Sequence, residues 1–102
     1  MKECCRTYLN EQFGGDAGVV DAIYAEYVSS IGAKLAEADA ALSAGAWDVL
    51  DKAAHTVKGN ALAAGDTQMA EAAIALRNAA KLQERDQAGR LIADLRALEE
   101  QL

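Results

Sequence analysis

From Ala17 to about Leu42, apolar residues recur at Val20, Ile23, Tyr24, Tyr27, Val28, Ile31, Leu35, Ala38 and Leu42, the three-four spacing of one long amphipathic helix. Gly32 falls inside this pattern without breaking it, and proline is absent from all 102 residues. Together with abundant alanine and few aromatic residues, this favours long helices over strands. Alanine also lets neighbouring helices approach closely, so thin inter-helix layers are expected.

Shorter helical segments flank the long one. Tyr8, Leu9 and Phe13, followed by Gly14-Gly15, predict a short first helix that ends at the glycine pair, and Asp16 is placed to cap the long helix. Ser43-Ala44-Gly45 predicts a turn, then a helix from about Ala46 to Ala64 stopped by Gly65. Asp66 caps the next, whose stripe is Met69, Ala72, Ala73, Leu76, Ala80 and, at its edge, Leu82. A last helix starts near Asp86, with Leu91, Leu95, Leu98 and Leu102 as a heptad-like seam joined by Ile92 and Ala88. The turn before it, around Gln83-Glu84-Arg85, has neither glycine nor proline to mark it. Four substantial helices with short connections pack most simply as an up-down-up-down four-helix bundle, all-α, with the short N-terminal helix covering one end. The length suits a single domain over residues 1–102.

Charge and cysteine usage narrow the function classes. A formal charge of −6 opposes any electrostatic grip on nucleic acid or anionic lipid and leaves protein partners. Cys4 and Cys5 are adjacent and have no third cysteine to pair with, which suits a reducing compartment and makes no recognised zinc spacing with one distant histidine. The N-terminus lacks the apolar stretch of a signal peptide, and no apolar run has spanning length, so a cytoplasmic location is expected. No glycine-rich phosphate loop, second histidine or nucleophilic cysteine in a basic setting is present, so neither nucleotide binding nor autokinase activity is expected.

The chemistry concentrates in Ala54-His55-Thr56-Val57-Lys58-Gly59-Asn60-Ala61, which holds the chain's one histidine. At ~100° per residue with His55 at zero, Ala53, Val57, Leu50, Ala61, Ala54 and Trp47 fall in an arc of roughly 160° to 280° that forms the buried face. His55 points away from it, flanked within roughly 60° by Asp48, Asp51, Lys52, Lys58, Gly59 and Leu62. A core histidine is opposed by this projection; an ordinary surface histidine is not. Lys58 reads either as a solvated charge or as a cation set to offset negative charge bound to the imidazole. A mid-helix glycine costs about 1 kcal/mol relative to alanine. Ala61 and Ala64 continue the buried stripe beyond Gly59, so the glycine reads as clearance for another protein's approach rather than as a helix end.

The run from His55 to Ala61, followed by Leu62 and Gly65, resembles the histidine-phosphotransfer (HPt) signature, roughly His-x-hydrophobic-Lys-Gly-small-small with a glycine closing the helix. Leu42 to Trp47 is similar to that family's turn and helix entry, and Tyr27 stands where the family often has an aromatic residue. Val57 and Asn60 are modest departures from the common leucine and serine. The resemblance implies that His55 carries a phosphoryl group on a ring nitrogen, that Lys58 steadies its charge, and that Gly59 leaves room for a receiver domain. It also implies a side chain from the next helix near the imidazole, for which Arg77 is the candidate. Asp51, Lys52, Gly59 and Leu62 would form the partner-binding surface.

On this reading the chain is a stand-alone carrier that takes a phosphoryl group from an aspartate of one receiver domain and passes it to another response regulator. It would have no cofactor of its own, with Mg²⁺ supplied by the receiver, and a hybrid or upstream sensor histidine kinase at the head of the relay. A monomer is expected, because each helix spends its one apolar stripe inside the bundle. The competing class is a helical receiver-binding or scaffold module without phosphoryl transfer, although such a protein more often loses the histidine or the lysine. A kinase dimerisation and phosphoacceptor domain is a third class, disfavoured because no ATP-binding domain follows the last helix.

Overall fold

The computed structural model describes residues 1–102 and contains five helices and no strand. They are α1 (Glu3–Gln12), α2 (Ala17–Ala44), α3 (Trp47–Ala63), α4 (Thr67–Lys81) and α5 (Arg85–Glu99). At 1.5 Å per residue the 28 residues of α2 span about 42 Å, so this helix alone accounts for the 43 Å long dimension of the molecule. No helix is long and apolar enough to cross a membrane.

Among the four longer helices each packs against two others, α2 against α3 and α5 and α4 against α3 and α5, while α1 packs on α2. The α3–α4 pair is the most extensive, and the two helices bury mainly alanines: Ala53, Ala54 and Ala61 from one, Ala70, Ala73, Ala79 and Ala80 from the other. Large side chains fill the remaining core, with Ile31, Leu35, Leu50, Met69, Leu76 and Leu95 fully buried. The stripe on α2 is buried as its spacing predicts from Val20 to Ala38, while Ile23, Val28 and Leu42 flank the core half-exposed.

Two apolar assignments change. Leu82 does not extend the α4 stripe; it follows the last helical residue and is 70% exposed. On α5 the buried line is Ala88, Ile92 and Leu95, with Leu91 and Leu98 at its margins and Leu102 beyond the helix end. Trp47 is only partly buried, and the Arg85 guanidinium lies 5.5 Å from its ring centroid while donating to the Leu42 carbonyl at 2.7 Å.

The turns share one solution. After α2, α3 and α4, a residue in the left-handed region, Gly45, Gly65 or Gln83, lets the next amide reach back to a carbonyl in the last turn, as Asp66 N does to Ala61 O at 2.8 Å. Asp16 and Asp66 cap α2 and α4 by accepting from the Val19 and Met69 amides. Asp66 does more. It is fully buried, and besides the cap it receives the Lys2 ammonium at 2.8 Å and the Tyr27 hydroxyl at 2.7 Å. Tyr24 donates to the Leu102 carbonyl at 3.1 Å, so α1, α2, the α3–α4 turn and the C-terminus are tied together at one end of the molecule.

Candidate functional site

His55 stands exposed in the middle of α3, with the helix's buried residues Leu50, Ala53, Ala54, Val57 and Ala61 on the opposite face. The sequence dictates this placement, because the apolar residues of α3 leave one arc free and the histidine lies at its centre. Lys58 and Gly59 follow one turn later on the same side. Lys58 is half-buried and takes part in none of the chain's ion pairs, so its charge is uncommitted.

Gly59 is the informative position. It is exposed, helical, and a Cβ built there would meet nothing within 4 Å. Gly65 contrasts with it: its φ is 74°, and a Cβ there would collide with the Tyr8 side chain. Packing inside the chain therefore accounts for the glycine at 65 and gives no reason for the one at 59.

The other predicted site residues separate into two groups. Lys52 is exposed and Leu62 is 50% exposed, both on the His55 face. Asp51 is not a free surface carboxylate: its Oδ1 accepts from Arg77 Nε at 3.0 Å, and both side chains are about three-quarters covered. Arg77 does arrive from α4 beside the histidine-bearing helix, but its hydrogen bond goes to Asp51 rather than to the imidazole. The sequence does not reveal this pairing, because it depends on the register between α3 and α4.

A second feature was also out of reach of the sequence. A groove of about 220 Å³ runs between α2 and α3, lined by Ile23, Tyr27, Ala63 and Ala64, with Glu26, Ser30 and Asn60 as its polar members. Asn60 donates to the Ser30 hydroxyl and so ties the two helices beside it. Only the packing of α2 on α3 makes these residues neighbours. No three potential metal-ligating side chains converge anywhere in the chain, and the carboxylate nearest His55 along α3 is taken by Arg77.

The all-helical fold thus displays one histidine, with a lysine and an unfilled glycine one turn on. The Hpt domain family model matches residues 22–102, and the chain belongs to that family. Histidine phosphotransfer in phosphorelays is the business of such domains, which interact with receiver domains and kinases of two-component systems. The match begins inside α2, so α1 and its Lys2 contact lie outside it. No curated protein and no solved structure matches the chain.

Proposed function

We propose that the chain is a phosphorelay intermediate in which His55 accepts a phosphoryl group from an aspartate of one receiver domain and returns it to an aspartate of another. Gly59 carries this reading. A helix that gives up about 1 kcal/mol of propensity at an exposed position, with no internal neighbour requiring it, keeps space for something outside the chain. The scaffold we infer is an up-down-up-down four-helix bundle with α1 over one end.

In the step itself, the unprotonated ring nitrogen gives its lone pair to phosphorus as the bond from phosphorus to the receiver's carboxylate oxygen breaks. The electron pair leaves with the carboxylate, and the ring keeps its proton on the other nitrogen. A neutral imidazole needs no dedicated base for this. Transfer depends on in-line positioning and charge neutralisation, and Lys58 supplies one free cation. The remaining neutralisation would come from Mg²⁺ brought by the receiver. Lys52, Gly59 and Leu62 form the face the receiver meets, and a sensor histidine kinase feeds the relay from upstream. A cytoplasmic setting fits Cys4 and Cys5, which have no third cysteine to pair with, and a monomer fits helices that each spend their apolar stripe inside the bundle.

Incubation with a phosphorylated receiver tests the reading. The chain should acquire an acid-labile, base-stable label that His55→Gln abolishes, and ATP alone should give none. A receiver that binds without ever labelling the chain would make it the scaffold module instead.

A further inference from the structure

Arg77 is one of the few cations on α3 and α4, and the carboxylate that holds it belongs to the residue one turn before His55. Residues four apart on a helix have Cβ atoms roughly 5–6 Å from one another. On the helical projection Asp51 lies at about −40° and Lys58 at about −60° from His55, so both flank the imidazole on the same side. Asp51 reaches α4 from there through Arg77. Of the five N–H donors of the guanidinium, only that on Nε is engaged, which leaves the terminal nitrogens available.

We propose that Asp51 is a positioning residue that parks Arg77 one helical turn short of His55, and that Arg77 leaves it for the phosphoryl group once His55 carries one. The inference rests on His55 being the phosphoryl acceptor. A phosphoryl group brings close to two negative charges and three acceptor oxygens, against the single charge of Asp51. Both members of the pair are partly solvated, so the exchange requires no deep desolvation. The resting site then presents two uncommitted cations, Lys52 and Lys58, because Asp51 cancels Arg77. The phosphorylated site gains Arg77 as a third, and Asp51 is released to face the departing partner as a bare carboxylate. The pair would thus report the phosphorylation state to whatever docks on this face.

The test uses phosphoramidate as a small phosphodonor, so that no receiver is needed. In ¹⁵N-labelled protein, the Arg77 Nε–H signal should shift when His55 is phosphorylated. In Asp51→Asn it should be shifted already. Arg77→Gln should shorten the phosphohistidine half-life by roughly two- to fivefold, the range expected of a partly exposed charge pair. Asp51→Asn should lengthen it, and Asp51→Asn in the Arg77→Gln background should have no effect. Arg77→Lys keeps the charge without the fork and should fall between. An Arg77 signal that stays put while His55 is phosphorylated, or an Asp51→Asn effect that persists without Arg77, overturns the proposal and leaves His55 as acceptor. A His55 that takes no phosphoryl group from phosphoramidate removes both readings.

Discussion

Gly59 and Gly65 lie near the same end of α3 in opposite surroundings, for a Cβ at 59 would meet nothing within 4 Å and one at 65 would collide with Tyr8. They should fail differently. Gly59→Gln puts a long side chain into open space and improves helix propensity, so thermal stability should hold or rise while receiver affinity collapses. Gly65→Ala forces a left-handed alanine against Tyr8, and should cost about 2 kcal/mol or more of stability. Lys58→Ala removes an uncommitted cation and should slow transfer modestly without changing stability or binding. Thermal unfolding beside receiver affinity for the three variants checks all of this. His55 and its neighbours were legible in the sequence because facing is a local property of one helix. Arg77's choice of Asp51 was not, since it is set by how two helices slide past each other.

At the scale of elements, the long α2 and the glycine-marked turns follow from spacing and chemistry that neighbouring residues carry themselves. The α4–α5 turn was the exception. It uses the same left-handed geometry as its counterparts but places Gln83 there, with φ 54°, and no residue type announces it. The Glu84 amide still closes on the Ala79 carbonyl at 2.9 Å, so the turn is built against a side-chain penalty. Gln83→Gly should relieve it and stabilise the protein by roughly 0.5–1 kcal/mol, net of the greater freedom glycine gives the unfolded chain. The midpoint of urea unfolding, at unchanged slope, is the readout.

For the molecule as a whole, α1 is held by an anchor that a sequence reading assigns only as a helix cap. Asp66 finds its partners far away in the chain, at Lys2 and Tyr27, and this distance is why the cap was legible and the hub was not. Asp66→Ala would leave the Lys2 ammonium, the Tyr27 hydroxyl and the Met69 amide without their acceptor, and should cost about 3 kcal/mol. The same end of the molecule should be sensitive to alkali. Burial, with the Asp66 charge behind it, pushes the Cys5 thiol from the ordinary 9.0 up to about 12. Burial also raises the Tyr24 and Tyr27 hydroxyls, and Asp66 raises Lys2 above its ordinary 10.5 against the opposing effect of burial. In each case the fold holds a proton that the unfolded chain releases earlier. Stability is therefore complete below about pH 9 and falls as the pH rises beyond it. Urea midpoints from pH 7 to 11 should show this decline, and Cys5→Ala should delay its onset.

The measurement that bears most directly on the whole account is a reconstituted relay with two receivers. One is supplied as its aspartyl phosphate, the second is unphosphorylated, and neither exchanges phosphate with the other unaided. With the native chain, label should pass through an acid-labile species on His55 and appear on the second receiver. With His55→Gln it should stay on the first. Label reaching the second receiver through His55→Gln, or a native chain that binds both receivers and moves nothing between them, would contradict the account.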